Sequence, residues 1–427
     1  MPEEELCAIE EAPSSPSLPI YVLADDLTGA ADSATYFRTA LRRVRIAFDP
    51  ARPWQPLHPG DLVQVFDSES RGLQPAEAAA VVGQAARLLA GRPARVFKKV
   101  DSTLRGNVGA EIEATLHGLG REVALLAPAF PANGRLVVAG RLLVDGRPVT
   151  ETAAGRDPVH PVRHDRLADV VLATSSLAVV ESGAVELEEA LGEARRRSPA
   201  VLVPETKSEE DLAEAARFLA RHPEVLPVGS AGLARPLAPL WLREEPSPPA
   251  APMKAVDRLL VLVGSANPKA HAQLERLVAA GEALRLRLDT PCLAEPAGRE
   301  EELARASRWL ATQTARVVAV ELAPERPAGA GGTLPHFEAD LAELARFWAS
   351  TSPGRRLGLV STGGDTTLAL CRALRIDALW PQGEVIPGMP WSEADDRFVL
   401  ISKAGGFGAE DALLRAVDFL LARGKEG

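Results

Sequence analysis

Short apolar runs alternate along the chain with longer segments in which apolar residues recur at helical spacing. This alternation is typical of strands joined by crossover helices, and it predicts a parallel sheet with helices on its faces. In the first part of the chain the predicted strands cover 19–24, 62–66, 94–100 and 123–127, and the predicted helices cover 31–41, 75–90 and 106–116.

Residues 136–180 are less regular, because glycines and prolines interrupt any long element. We expect turns and short strands there, arranged as a covering flap. The alternation then returns, with strands predicted at 170–173, 200–203 and 225–228 and helices at 184–196 and 210–221.

The second half shows the same alternation. Its predicted strands cover 258–263, 284–288, 317–322, 357–360 and 398–401. Three helices are expected: one from about 269 to 280, a second that ends at Leu374, and a third that begins near Glu410.

A proline-rich segment, REEPSPPAAPMKAV at 243–256, separates the two halves. A chain of 427 residues is also too long for one ordinary core. We therefore predict an α/β protein of two domains, each with a largely parallel sheet flanked by helices. The expected domains are 19–242 and 257–427, joined by the linker 243–256 and preceded by an acidic tail, 1–18, that is expected to be disordered.

Composition narrows the possible partners. A net charge of -10 and a pI near 5.4 argue against nucleic acid or an anionic membrane as the main partner. The chain shows neither a signal-peptide core nor an apolar run long enough to span a bilayer. Three scattered cysteines suit a reducing compartment, so a soluble, cytoplasmic protein is expected.

Polar residues cluster directly after the predicted strands of the first half. Asp25 and Asp26 follow the first strand, and a dense charged stretch, Lys98–Asn107, follows the third. Such residues can simply cap the next helix, but paired carboxylates also suit a general base or a Mg²⁺ ligand. Because the carboxyl ends of parallel strands share one sheet edge, these loops are expected to converge on a ligand.

Glycine-rich turns follow strands in the second half. They contain Gly264-Ser265, Gly363-Gly364-Asp365 and Lys403-Ala404-Gly405-Gly406. Backbone N–H groups at such turns can cradle phosphate, and Lys403 adds positive charge. The P-loop, protein-kinase and dinucleotide fingerprints are absent from the sequence. One half suited to a polyhydroxy acid and one suited to phosphate together favour a two-domain small-molecule kinase.

The motifs also resemble those of the four-carbon acid sugar kinase family, in the same order along the chain. The resemblance rests on DDLTGA at 25–30, KVDSTLRGN at 99–107, APAFP at 127–131, GSAGL at 229–233, STGGDT at 361–366 and KAGGFG at 403–408. It implies an N-terminal sugar-acid domain, a C-terminal ATP-binding domain, and phosphorylation of an acid such as threonate, erythronate or 3-oxo-tetronate. Ala404 and Ala266 depart from the expected pattern, which affects only fine nucleotide contacts.

On this resemblance we assign provisional roles to individual residues. Asp25 is the first candidate for the catalytic base, and Asp26 is the second. Arg105 with Lys98 or Lys99 would bind the substrate carboxylate, and Asp101, Ser102 and Asn133 would hold its hydroxyls. Thr28 and Arg71 complete the predicted acceptor site. The predicted ATP site comprises Ser265, Thr362, Gly363, Gly364, Asp365, Thr366, Lys403, Gly405 and Gly406.

Mg²⁺ would bridge the ATP phosphates, with protein ligands that the sequence does not identify. Three alternatives stay open at this point: a non-catalytic sugar-acid sensor, a dehydrogenase, and an aldolase that forms a Schiff base at Lys98 or Lys99. The acid, its stereochemistry, the hydroxyl that is phosphorylated and the oligomeric state, a homodimer included, are also open.

Overall fold

The computed structural model describes residues 18–39, 42–48, 62–157, 160–183, 185–242, 255–323 and 337–422. The predicted tail (1–18) and linker (243–256) lie outside the described residues, apart from positions 18, 255 and 256.

The first half alternates strands and helices, as predicted. Its elements are β1 (Ile20–Ala24), α1 (Leu27–Ala34), β2 (Arg43–Ala47), β3 (Leu62–Asp67), α2 (Pro75–Leu89), β4 (Arg95–Lys99), α3 (Val108–Leu119), β5 (Val123–Ala127), β6 (Arg135–Val138), β7 (Arg141–Val144), β8 (Arg147–Pro148), α4 (Leu167–Leu172), β9 (Ala178–Glu181), α5 (Leu187–Arg196), β10 (Ala200–Val203), α6 (Glu209–Arg221), β11 (Leu226–Gly229) and α7 (Ala231–Trp241).

The second half continues the alternation and ends on a helix. Its elements are β12 (Arg258–Val263), α8 (Pro268–Ala279), β13 (Leu284–Leu288), α9 (Thr290–Ala294), α10 (Pro296–Thr312), β14 (Val317–Leu322), α11 (Phe337–Ser350), β15 (Leu357–Thr362), α12 (Gly364–Ala373), β16 (Ala378–Ile386), β17 (Met389–Glu393), β18 (Phe398–Lys403) and α13 (Ala412–Ala422).

Each half contains a parallel sheet. The strand order is β2-β3-β1-β4-β11-β5-β10-β9 in the first half and β13-β14-β12-β15-β18 in the second. All residues of β1 and β12 are buried, as expected where helices cover both faces of a parallel sheet. The predicted α/β architecture is confirmed.

The two sheets are joined edge to edge, which the sequence did not predict. β17 runs antiparallel to β18, and β16 runs antiparallel to both β17 and β2, so that 15 strands form one sheet. The strand pairing that joins the two sheets is short within the described residues: Ala47 pairs with Ala378 and Ile46 with Leu379.

The irregular region after β5 contains a small antiparallel sheet, β6-β7-β8, in agreement with the predicted short strands. The strand predicted at 170–173 is wrong, because these residues lie in and just after α4. Leu167 and Val171, four residues apart, are buried while Leu172 is exposed, which is a helical and not an alternating pattern. None of the helices in the described part of the chain is both long and apolar enough to cross a bilayer.

Candidate functional site

The polar loops of the first half converge at one point of the sheet edge. β1 lies between β3 and β4, and the chain passes from β1 to β2 and β3 on one side before it returns to β4 on the other. The carboxyl ends of these three strands therefore flank a topological switch point, where open α/β sheets bind ligands.

Arg71 connects the loops that follow β1 and β3. Its Nε donates to Oδ2 of Asp25 at 2.9 Å, and its Nη2 donates to Oδ1 of Asp26 at 2.7 Å. Nη2 also lies 3.7 Å from Oδ1 of Asp101, in the loop after β4. The backbone N–H of Gly29 donates to Oδ1 of Asp26 at 3.0 Å, so Asp26 caps α1 as well.

Asp101 and Arg105 form a second ion pair within the loop after β4. Arg105 donates from Nε to Oδ2 at 2.9 Å and from Nη2 to Oδ1 at 3.1 Å, a bidentate arrangement. Its Nη1 reaches Oδ2 of Asp157 at 3.3 Å. Although burial opposes its ionisation, Arg105 and Arg71 hold the pKa of Asp101 well below its usual value.

The two adjacent lysines of β4 have different surroundings, because successive strand residues point to opposite faces. Lys98 is fully buried, and its Nζ lies 2.7 Å from Oε2 of Glu111 on α3. Glu111 also accepts a hydrogen bond from the hydroxyl of Ser70 at 2.7 Å. Lys99 instead lies against Gly29 and lines the cleft. The ion pairs among the described residues engage Lys98, Arg71 and Arg105, but not Lys99.

Asp25 and Asp26 titrate differently although they are adjacent. Burial disfavours the charge of Asp25, but Arg71, Lys99 and Lys98 together lower its pKa. Burial raises the pKa of Asp26, and the neighbouring charge of Asp25 adds to this against the opposing effect of Arg71. Asp26 therefore accepts a proton more readily than Asp25 does.

A cleft lies beside these groups. It is lined by Asp26, Thr28, Gly29, Asp32, Arg71, Lys99, Asp101, Ser102, Arg105 and Ser230 from the first half, and by Gly388, Ala404 and Phe407 from the second. Seven predicted acceptor-site residues are therefore brought together: Asp26, Thr28, Arg71, Lys99, Asp101, Ser102 and Arg105.

Three other predicted residues do not line this cleft. Asp25 is held by Arg71 and is not among the lining residues. Lys98 is occupied by Glu111. The Nδ2 of Asn133 is buried and would lie 3.2 Å from a Cβ placed at Gly388, so this side chain faces the turn between β16 and β17.

Asp32 lines the cleft and was not predicted from the sequence. It lies on α1, one helical turn after Thr28 and Gly29, and is 5% exposed. Burial and the charge of Glu384 raise the pKa of Asp32 to about 8. The available signal was an aspartate four residues after Thr28 in a helix otherwise made of small and apolar residues.

The glycine turns of the second half lie at the ends of β12, β15 and β18, which are neighbours in the sheet. Gly363 has φ +101 and precedes α12, and its N–H donates to the carbonyl of Lys403 at 3.0 Å. A Cβ at Gly405 would overlap Oγ of Ser265. These contacts bring Ser265, Gly363 and Gly405 together at a helix N-terminus, which suits an anion.

The remaining predicted nucleotide residues surround the same turns. Thr362 and Thr366 are buried, and Oγ1 of Thr362 has no hydrogen-bond partner within the described ranges. Asp365 is exposed in the first turn of α12. Gly406 lies beside Asn267, the residue that caps α8.

Lys403 is buried at the end of β18 without a carboxylate neighbour. Its Nζ donates to the carbonyl of Gly405 at 3.1 Å, and no ion pair within the described residues includes it. Burial, with a smaller effect of Lys269, lowers the pKa of Lys403 to about 7. A phosphate at the glycine turns would supply the missing negative charge.

The two halves meet at the cleft. A Cβ placed on Gly364 would lie 2.7 Å from Oδ2 of Asp26 and 3.3 Å from Oγ1 of Thr28. The glycine turn before α12 therefore contacts the acid at the end of β1. Within the described ranges, no cluster of three or more His, Cys, Asp or Glu side chains is arranged to hold a metal ion.

Family models cover most of the described chain. Residues 20–237 match a sugar-binding N-terminal domain, and residues 260–413 match a nucleotide-binding C-terminal domain.

Curated relatives align over nearly the full length. A D-threonate kinase of Bordetella bronchiseptica is 34% identical over 95% of this chain and 98% of the relative. A D-erythronate kinase of Heliobacterium modesticaldum is 32% identical over 95% and 97%, and a 3-oxo-tetronate kinase of Pseudomonas fluorescens is 29% identical over 95% and 97%.

A solved structure from Salmonella typhimurium has the same fold, with a TM-score of 0.73 and 24% identity over 93% of this chain and 98% of that one. The resemblance predicted from the motifs is confirmed. The chain belongs to the family of two-domain proteins with a sugar-binding N-terminal and a nucleotide-binding C-terminal domain, to which four-carbon acid kinases belong.

Proposed function

We propose that this protein is an ATP-dependent kinase that phosphorylates a terminal hydroxyl of a four-carbon sugar acid of the threonate, erythronate or 3-oxo-tetronate type. The observation that carries the proposal is the position of Asp26, which lines the cleft of the first half and lies against Gly364 of the second. A hydroxyl held at Asp26 would face a phosphate held at the glycine turn.

In this proposal each domain binds one of the two substrates. Residues 19–242 would bind the sugar acid and residues 257–427 would bind ATP, a division that the descriptions of the two family models support. Lys99 is the best candidate for the substrate carboxylate, because Arg71 and Arg105 are already paired with aspartates. Ser102 and Ser230 line the same cleft and would bind hydroxyls.

Asp26 takes the role of general base in this proposal, in place of Asp25. It would accept the proton of the attacking hydroxyl, for which its raised pKa is better suited than the lowered pKa of Asp25. Arg71 would fix the orientation of Asp26. Lys403 and the N–H groups of the turns would stabilise the charge of the transferring phosphoryl group.

The residues present offer Mg²⁺ one candidate protein ligand. Oδ1 of Asp25 is buried and has no hydrogen-bond partner among the described residues, and its carboxyl favours the ionised state. Because Asp25 does not line the cleft, this oxygen would reach the ion only after its side chain turned toward the cleft, and substrate phosphates and water would supply the other ligands. When bound, Mg²⁺ would neutralise part of the negative charge of the phosphates.

The proposal is tested by measuring ADP release over a panel of four-carbon sugar acids, with wild-type protein and Asp26→Asn. We expect turnover with at least one acid, and a kcat for Asp26→Asn that is lower by about 10²- to 10⁴-fold. The dissociation constant of the acid should change far less, since the role lies in the chemical step.

Asp169→Asn is the matched control, because Asp169 is exposed on α4 and outside the cleft; it should retain wild-type kcat. Binding of the acids by the wild type without ADP release would reject the kinase in favour of a sugar-acid sensor. Wild-type turnover by Asp26→Asn would remove the proposed base.

A further inference from the structure

Helix α1 presents a carboxyl to the acceptor cleft that the proposed reaction does not use. Asp32 lines the cleft together with Thr28 and Gly29 and is 5% exposed. Its Oδ1 is buried and has no hydrogen-bond partner among the residues that the structure describes. Leaving a buried polar atom without a partner costs free energy, so a ligand at this position would account for it.

Several other buried acids of the described chain are paired with bases, although Asp67, which does not line the cleft, is not. Asp340 is held by Arg299 at 2.5 Å, and Glu111 is held by Lys98 at 2.7 Å. Asp32 belongs to no such ion pair within the described residues. The partner of Asp340 offsets the cost of burying its charge. Asp32 differs from the unpaired Asp67 in its position, because Asp32 lines the cleft and Asp67 does not.

The groups around Asp32 come from every element that borders this end of the cleft. The pKa of Asp32 is affected by the charges of Glu384 on β16, Lys99 on β4 and Asp26 before α1. The charge of Asp32 in turn raises the pKa of Tyr36. The oxygens of Glu384 are already engaged, since Oε2 accepts from the hydroxyl of Tyr36 at 3.0 Å and Oε1 accepts from the N–H of Gly388 at 2.8 Å. Arg235 acts on Tyr36 and Glu384 in turn.

These surroundings favour a protonated Asp32 at neutral pH, because burial and Glu384 raise its pKa to about 8. A protonated carboxyl both donates and accepts a hydrogen bond. It also does not repel an anionic substrate bound at Lys99, which an ionised aspartate would do.

Asp32 lies six residues after Asp26, or about 9 Å along the axis of a helix. We propose that Asp32 is a specificity-determining residue, which hydrogen-bonds a hydroxyl of the sugar acid other than the one that is phosphorylated. This inference rests on the proposed function, because it takes a four-carbon polyhydroxy acid to be the occupant of the cleft.

The test is calorimetric binding without ATP, using threonate, erythronate and their 2-deoxy and 3-deoxy analogues. Asp32→Ala should weaken binding of the preferred acid by about 10- to 100-fold, as expected for a lost buried hydrogen bond. It should leave the affinity for one deoxy analogue unchanged, because that analogue lacks the hydroxyl in question. Equal weakening for all ligands, or no weakening, would overturn the inference.

Ser33→Ala is the matched control. Ser33 is the next residue of α1, is buried, and has an unpartnered hydroxyl among the described residues, but it does not line the cleft. It should bind every ligand as the wild type does.

Asp32→Asn provides a second readout in case the alanine variant does not fold. Wild-type affinity should fall as the pH rises from 7 to 9, because Asp32 ionises, and Asp32→Asn should show a flatter profile. An identical pH profile in both proteins would contradict the inference. If the wild type binds these acids but releases no ADP, only the kinase proposal fails. If the wild type is an active kinase and Asp32→Ala distinguishes the acids from their deoxy analogues as the wild type does, only this inference fails.

Discussion

At the scale of single residues, polar groups in and next to the cleft are buried without partners. Oδ1 of Asp25, Oγ1 of Thr28 and Oδ1 of Asp32 have none within the described chain, and Lys403 is buried without a counter-charge. Such groups lower the free energy of unfolding, because each lost hydrogen bond or unpaired charge makes burial less favourable. A bound substrate can supply the missing partners.

Lys403 gives a prediction about proton uptake. With a pKa near 7 it is mostly neutral at pH 8, and a phosphate at the glycine turns would raise that pKa and recharge it. ATP binding should therefore take up a proton at pH 8 but almost none at pH 6, where Lys403 is already charged. Titration calorimetry in buffers of different ionisation enthalpy measures this uptake.

Lys403→Met should abolish the proton uptake and weaken ATP binding. Lys207→Met, at an exposed lysine paired with Glu205, should behave as the wild type. A binding enthalpy that is independent of buffer at pH 8 would show that Lys403 does not face the phosphates.

At the scale of elements, α1 is the contact between the two sites. Every residue of this helix is buried, and its sequence LTGAADSA is made of small side chains that allow close approach. Asp26 caps its start, and the turn before α12 lies directly against this cap. The base and the turn that would hold phosphate are therefore positioned by two helix N-termini that face each other.

Gly364→Ala tests this close approach. The added Cβ would lie 2.7 Å from Oδ2 of Asp26, a distance that forces one of the two groups to move. We expect kcat to fall by about 10- to 100-fold, because displacements near 1 Å at reacting groups have effects of this size. The affinity for the sugar acid should change little.

Gly192→Ala on α5 is the comparison variant, since a Cβ there meets only Nη1 of Arg196 at 3.8 Å. It should raise the free energy of unfolding by about 0.5–1 kcal/mol without changing kcat. Unchanged kcat in Gly364→Ala would mean that the turn and Asp26 separate during the reaction.

At the scale of the whole molecule, one loop reaches both sites. The loop after β18 places Gly405 on Ser265 and inserts Phe407 into the first half. There the ring lies edge-on to Phe130, with centroids 6.1 Å apart, and the guanidinium of Arg135 lies 4.7 Å from its centroid.

Phe407→Ala should lower kcat/KM for the sugar acid by about 10-fold or more and also raise the KM for ATP, because the loop contributes to both sites. Steady-state kinetics with each substrate varied in turn measures both effects. Arg372→Gln removes a different contact between the halves, the exposed pair with Glu69 at 2.7 Å, and should have little effect. Equal behaviour of the two variants would contradict a special role for Phe407.

The sequence predictions were accurate where a feature is determined by residues close together in the chain, and inaccurate where it is determined by contacts with distant residues. Strands β12, β13 and β14 were predicted to the residue, since β12 and β14 are short, largely apolar runs and β13 alternates leucine with arginine. β16 and β17 were not predicted, because ALWPQGEVI and MPWSE contain proline and glycine and their pairing is set by distant strands.

The site followed the same rule. The loops after β1, β3 and β4 could be predicted to converge from strand topology alone. Which of Lys98 and Lys99 faces the cleft could not, because alternation shows only that they point apart. The pairing of Arg71 with Asp25 and Asp26 likewise joins residues 45 and 46 positions apart, which no local pattern reveals.

The short ladder between β2 and β16 also has a consequence for each half in isolation. Among the described residues two residue pairs join the strands, supported by Arg43 stacked 4.2 Å from the ring centroid of Trp380. Each strand therefore covers part of the other's edge. Expressed alone, either half would expose an unpaired strand edge, and such edges recruit further chains into aggregates. The junction thus occupies part of an edge on each half that would otherwise be open to another chain.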